Sequence, residues 1–433
     1  MNTMQLRPTI HWVSPLPPAH TDIAHYTARI MPELSAVAEV ILWTDAHEWD
    51  VSLERFCTIR HFDPDTALPR DFTQARRGSG PEILFIHIGN SWVFHAGLMR
   101  LAQRIPSIVV LHDLAIQELM IEAVKHVEWD AGSYLSGMTK WYGAEGLKIG
   151  QACLDGREKG AAMSGRMPGF ELALEKARAV LTHTDIACDS IKARLPNLPC
   201  YLLPLPFEVG PPPPLRRVSQ GPLRLLQFGW IGPNRRLEQV LEALAKMPEG
   251  FDFRLDVMGE IWNTGLIHEK LSDLGLNERV HLHGFVPESV LENALRQAHL
   301  VLNLRHPSMG EASGSQLRIW NSGAASVVTR EGWYAGLPDD VVYSVDLERE
   351  REQLHELFRS FAADYSFGRN VAAAGRTYFE THHAPRPYAQ GIIKLVEDTV
   401  SRAPHLLALR SKTELESNRS LTMMQLERFK NLT

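Results

Sequence analysis

Short apolar runs alternate with longer amphipathic stretches along the whole chain. In the first half the runs are Thr9–Val13, Glu39–Trp43, Ile83–Ile88, Ile108–Leu111 and Ala179–Thr182. Each is rich in Val, Ile or Leu and bounded by polar, Pro or Gly residues, which predicts buried strands. Helical periodicity lies between them, as in Ile23–Leu34 and Ala96–Arg104. Strands that alternate with helices predict a parallel sheet covered on both faces, an α/β class domain. The rhythm restarts with Leu223–Phe228, Phe253–Met258, Val280–Leu282, Leu300–Leu304 and Ser326–Thr329. The chain thus predicts two doubly wound domains facing across a cleft, with the carboxyl ends of both sheets lining it.

Between the halves stands Pro204–Pro214 (PLPFEVGPPPP). Four consecutive prolines continue neither a helix nor a central strand and make a stiff spacer. The predicted organisation is an N-terminal domain over 1–205, a linker over 206–214, a C-terminal domain over 215–385, and a helix with a polar tail over 386–433. Residues ~120–175 break the rhythm. They lean helical and carry Trp129, Tyr134, Met138, Trp141, Tyr142, Met163 and Met167. Two readings stand for them: a helical excursion with its own small core, or a lid or acceptor platform.

A length of 433 residues exceeds one compact core, which agrees with two domains. The net charge of −6 gives no footprint for nucleic acid. The cysteines (Cys57, Cys153, Cys188, Cys200) are scattered without a CxxC pair, which argues against a zinc site or a disulfide framework and fits a reducing cytoplasm. The start, MNTMQLRPTIHWVSP, has no long apolar core, so no leader is expected. No apolar run reaches the ~18 residues of a spanning helix.

The chemistry concentrates near residue 310. The run HLVLNLRHPSMG leads into Glu311-Ala-Ser-Gly-Ser315, and a helix-like QLRIWNSG follows. A strand here delivers a carboxylate, a glycine and two serines to a helix start, where free N–H groups and the positive dipole end suit a phosphate. Glu311 could accept hydrogen bonds from hydroxyls on whatever the phosphate carries. That pairing is what a nucleotide-sugar site needs, and an ordinary strand–loop–helix turn with a polar cap fits the segment equally well.

Five segments in order carry a resemblance: SPLPPAHTDIAHY near the start, VVLHD at 109–113, FGWIGPNRRLEQVLEAL at 228–244, HGFVPESVLENAL at 283–295, and HPSMGEASGS…SGAASVVT at 306–329. The chain resembles the GT-B glycosyltransferases, and within them glycosyltransferase family 4. REGWYAGLPDD at 330–340 is similar to a bacterial subgroup with a G-E-x-S-G-S phosphate loop. The resemblance implies two Rossmann-like domains and transfer of a sugar from a nucleotide diphosphate donor with retention at the anomeric carbon. It implies no metal and no cofactor beyond the nucleotide-sugar co-substrate. The donor would lie mainly on the C-terminal domain and a glycan or lipid-linked acceptor on the N-terminal one.

The resemblance also implies roles. Glu311 matches the first Glu of an E-x7-E motif and would hold the donor sugar. Ser313, Gly314 and Ser315 would form the diphosphate turn. The second Glu would fall where Ile319 stands, so a ribose contact must come from elsewhere or be absent. The family's Arg–Lys pair in the FGWIGPNRR loop falls at Trp230 and Arg235. Arg235 would stabilise the leaving diphosphate, with Arg236 sharing the load. Gly284 and Phe285 match a base-contacting segment. His112 would face the donor sugar, with Asp113 beside it. Asp22 replaces a usual Gly near the donor phosphates, where a carboxylate would repel them unless paired or turned to the acceptor. Asn90 and His95 complete the acceptor side.

The leading expectation is a cytoplasmic, metal-independent, retaining glycosyltransferase in a bacterial surface-polysaccharide or glycolipid pathway. Peripheral membrane contact would follow family habit, but the short motif at 423–431 is too weak to carry it. The alternative is a non-catalytic GT-B module acting as a partner subunit or scaffold, motivated by Trp230, Asp22 and Ile319.

Overall fold

A computed structural model describes residues 7–72, 80–211 and 221–402. The first domain holds a seven-stranded sheet in the order β3-β2-β1-β4-β5-β6-β7, built from β1 (Thr9–Val13), β2 (Glu39–Thr44), β3 (Thr58–His61), β4 (Glu82–Ile88), β5 (Ile108–Leu111), β6 (Ala179–Thr182) and β7 (Cys200–Leu202). The second holds six strands in the order β10-β9-β8-β11-β12-β13, from β8 (Leu223–Phe228), β9 (Phe253–Met258), β10 (Val280–Gly284), β11 (Leu300–Leu302), β12 (Ser326–Thr329) and β13 (Tyr343–Val345). Every strand pair is parallel. This is the doubly wound α/β pair that the strand–helix rhythm predicts.

Strand parity sorts the first sheet's core into two layers. Ile108 and Val110 face one layer with Ile10, Trp12 and Phe85, under helix Asp22–Val37. Val109 and Leu111 face the other with Ile86 and Ile88, under helix Trp92–Arg104. Tyr134, Met138, Met163 and Met167, from the helical stretch after residue 120, belong to that second layer. That stretch therefore extends the sheet's own core and does not form a separate one.

The helix over 385–402 returns to the first domain. Its Tyr388, Ile392, Leu395 and Val396 are buried in the layer of Ile10 and Trp12, and the Tyr388 hydroxyl meets that of Tyr26 at 2.5 Å. Phe207 in the proline-rich spacer is buried against Phe379, and its N–H donates to the His383 carbonyl at 2.8 Å. Residues 212–214 of the spacer and the tail from 403 onward, including the motif at 423–431, lie outside the described residues.

Glycines let the loops at the strand ends approach closely. Gly259, after β9, has φ of 138°, and a Cβ there would lie 1.8 Å from the Gly229 carbonyl oxygen after β8. That clash is with backbone, so no side-chain rotation relieves it. Gly259→Ala should cost roughly 2–4 kcal/mol and lower the urea midpoint accordingly. An unchanged midpoint would show that the two loops do not need this approach.

Candidate active site

The carboxyl ends of both parallel sheets meet where the loop after β11 touches the segments after β5 and β6. The Met309 carbonyl accepts from the N–H groups of Leu114 and Ala115 at 2.9 and 3.0 Å. The Thr184 hydroxyl donates to the Gly310 carbonyl at 2.9 Å. Gly310 has φ of 77°, and a Cβ there would lie 2.6 Å from the Leu114 side chain. Only glycine lets the 305–311 loop lie this close to the first domain.

Glu311 stands at the end of that loop, nearly buried and braced from three sides. Its carboxylate pairs with the Arg305 guanidinium and accepts from the Met309 N–H at 2.7 Å and the Ser308 hydroxyl at 3.3 Å. Burial opposes the Arg305 charge, but Glu311, Tyr334 and Asp113 together outweigh it and hold the guanidinium above its ordinary pKa. A carboxylate accepts at about four lone-pair positions, so one remains for a ligand hydroxyl. Arg305 was not singled out by the sequence, although it closes the apolar run that precedes Glu311.

Helix Gly314–Asn321 starts beside this pair. Ser313 is its N-cap: the hydroxyl is buried and accepts from the Gln316 N–H at 3.1 Å. Its place is thus to preform the helix start, while Ser315 stays half-buried within reach of Gly229. Gly314 faces the other domain, where a Cβ would lie 3.5 Å from the Asp22 carboxylate. Ile319 is fully buried with Leu226, Phe228 and Met258, so the helix offers apolar packing where a carboxylate is expected.

The two candidate arginines part. Arg235 is 4% exposed and donates through Nη2 to the Phe228 carbonyl at 3.0 Å. Its Nε has no partner among the described residues. Burial and the neighbouring Arg305 charge lower its pKa to about 10, while Glu311 and Asp22 pull the other way. It stays a cation at neutral pH. Arg236 instead adopts φ of 58° and forks onto Glu350, with contacts of 2.6–2.9 Å. That pair engages the guanidinium that was expected to share the phosphate.

On the second domain's rim, Gly284 is exposed with φ of 65° and its carbonyl accepts from the Gly259 N–H at 2.7 Å. Phe285 is exposed and meets the His20 ring edge-on at 6.2 Å. Trp230 is exposed and folds over Gly232, where a Cβ would lie 2.1 Å from the indole.

On the first domain, His112 directly follows β5. Its Nε2 shares a hydrogen bond of 2.9 Å with Nδ1 of His87 at the end of β4, and its ring lies 5.0 Å from both Tyr26 and His183. Burial, with the neighbouring histidines, holds His112 and His87 well below the ordinary imidazole pKa. His112 is therefore neutral near pH 7 and can hydrogen-bond without carrying charge. Burial, reinforced by Glu311, pushes Asp113 up to about 7, although the Asn90 N–H donates to it at 2.7 Å. Asn90 also accepts from the Leu119 N–H at 3.2 Å, which makes it a bracket between loops. His95 is buried, and its Nδ1 donates to the His87 carbonyl at 3.1 Å. It supports His87 from below and does not line an open surface.

Burial lowers His95 and His183 to about 4. All four imidazoles bind a proton more readily unfolded than folded. For His95 and His183 that contribution to stability is full above about pH 6.5 and is lost as the pH falls towards 4, and His87 and His112 act in the same direction. His95 and His183 alone should remove about 3 kcal/mol each. Melting followed by circular dichroism should show a steep fall between pH 6.5 and 4.5, and a flat profile would contradict the burial of this cluster.

Among the described residues, no group of three or more His, Cys, Asp or Glu is placed to hold a metal ion, and no helix is long and apolar enough to cross a membrane.

No known family model matches the chain, and no curated protein matches it. Solved structures do. HepE from Anabaena in complex with UDP is 12% identical with a TM-score of 0.57, covering 90% of this chain and 100% of that one. Sucrose-phosphate synthase from Thermosynechococcus elongatus is 15% identical with a TM-score of 0.59, covering 91% and 100%. WaaG, a glycosyltransferase involved in lipopolysaccharide biosynthesis, is 16% identical with a TM-score of 0.52, covering 88% and 98%. The likeness spans nearly the whole of each chain and establishes the GT-B architecture of two Rossmann-like domains.

Proposed function

We propose that the chain is a retaining glycosyltransferase that moves a sugar from a nucleotide diphosphate donor to a glycan or lipid-linked acceptor. The observation that carries this reading is the braced Glu311–Arg305 pair beside the start of helix Gly314–Asn321, with buried Arg235 close enough to feel both charges. The complex of HepE with UDP, in the same architecture, supports a nucleotide in the cleft.

In this reading Glu311 holds sugar hydroxyls and fixes the anomeric carbon. The bond from that carbon to the diphosphate oxygen breaks, and the oxygen leaves with the electron pair. Arg235, Arg305 and the helix start stabilise the charge that develops on it. An acceptor hydroxyl attacks from the same face, and its proton passes to the departing diphosphate. The two arginines and the helix end supply the positive charge that a metal would otherwise bring. Neutral His112 orients the sugar or the acceptor, and Asp113 lies at the same edge. The subgroup resemblance points to bacterial surface polysaccharide or glycolipid synthesis, with the protein on the cytoplasmic side.

The second reading is a non-catalytic module. Exposed Trp230, Asp22 opposite Gly314, and buried Ile319 favour it.

Release of nucleoside diphosphate from UDP-, GDP- and ADP-sugars, with bacterial lipid extract as acceptor, separates the two. The transferase reading expects release from one donor class and a product with the donor's anomeric configuration by proton NMR. Nucleotide binding without release or transfer would favour the module, and an inverted product would overturn retention.

A further inference from the structure

We infer that Asp22 is a resident counter-ion in the phosphate seat: in the free protein its carboxylate holds the place of donor phosphate charge, and the donor binds by displacing it. The inference rests on the donor site proposed above. Asp22 is the first residue of helix Asp22–Val37, which Thr21 caps through its hydroxyl. It also faces the start of helix Gly314–Asn321, with Oδ2 3.5 Å from where a Cβ on Gly314 would stand. Two positive helix ends therefore share one carboxylate across the cleft.

A second observation asks for an anion beside that helix start: Arg235 donates to the Phe228 carbonyl, and a Cβ on the next residue, Gly229, would lie 3.9 Å from the Ser315 hydroxyl. Arg235 is 4% exposed, its Nε lacks a partner among the described residues, and it lies within charge range of Asp22. Asp22 answers that demand only loosely. It is exposed, and among the described residues no hydrogen bond or ion pair holds its carboxylate. Rotation about its side chain is enough to clear the seat. A diphosphate carries more charge than one carboxylate, and the two repel at such range. Asp22 therefore weakens binding of the diphosphate and favours its release as product, while leaving the nucleoside contacts alone.

The test is calorimetric titration of inorganic pyrophosphate, uridine, UDP, GDP and ADP into wild type, Asp22→Asn and Asp22→Ala. Pyrophosphate reports the seat whatever the base. Both variants should bind pyrophosphate and the preferred nucleoside diphosphate about tenfold more tightly, with nucleoside affinity unchanged. The gap should shrink at about 0.5 M salt, since the charges are exposed. Equal or weaker pyrophosphate binding in both variants, with nucleoside diphosphate still bound, would overturn the counter-ion role and leave the donor site standing. No binding of pyrophosphate or any nucleoside diphosphate by any of the three proteins would overturn both.

Discussion

Glu311→Gln should lower sugar transfer by about 10²–10³-fold while nucleoside diphosphate still binds. The substitution keeps the shape and one oxygen for the Met309 N–H, but it removes the charge opposite Arg305. It also turns an amide donor towards a guanidinium or towards the sugar. The loss should therefore appear in kcat more than in KM. The same change leaves a nearly buried cation without its partner, so stability should fall by roughly 3 kcal/mol. Circular dichroism must show that the variant is folded at the assay temperature. Transfer within tenfold of wild type in a folded variant would remove Glu311 from the reacting centre.

Arg235→Ala should cost about 10²–10³-fold in kcat/KM and weaken nucleoside diphosphate binding about tenfold or more. Arg235 is buried and its Nε has no partner among the described residues, whereas Arg305, the other cation assigned to the leaving group, is already paired with Glu311. Arg235→Lys should recover only part of the loss, because a single ammonium lacks the planar fork whose separate nitrogens can hold the Phe228 carbonyl and a phosphate oxygen together. Arg236→Ala gives the contrast. Its guanidinium is engaged by Glu350, so that variant should melt earlier and bind nucleotide as wild type does. If the two variants exchanged phenotypes, the assignment of the phosphate cation would be reversed.

The fold was legible in the sequence where strands are central and buried on both faces. There the side chains make continuous or nearly continuous apolar runs, as in Ile108–Leu111 and, broken only by His87, Ile83–Ile88. The strands that pattern reading missed, β3, β7 and β13, all lie at sheet edges. β3 reads Thr-Ile-Arg-His with no buried position, and β7 and β13 are three residues long. An edge strand covers little core, so it leaves a weak apolar signal.

The site was legible where chemistry is local in the chain. Glu311 and the helix start after it lie within a few residues of each other. Arg305 is also local, six residues before Glu311, but a charge closing an apolar run resembles an ordinary strand end. The separation of Arg235 from Arg236 was not legible. It follows from a positive φ at Arg236 and from Glu350, 114 residues away. Strand parity could have flagged His87, which shares a face with Phe85 beneath Tyr26. The place of His95 depends on the inward face of a helix and on a carbonyl from β4, which only tertiary packing reveals.

The most direct test is the melting temperature of the purified protein with UDP, GDP, ADP and their common sugar conjugates, alongside Arg235→Ala. A ligand specific to the folded state stabilises it by about 2.7 kcal/mol at a hundredfold excess over its Kd. A clear rise with one nucleotide class, reduced in Arg235→Ala, is the expected result. No rise with any of them at millimolar concentration would contradict a nucleotide-sugar site in this cleft.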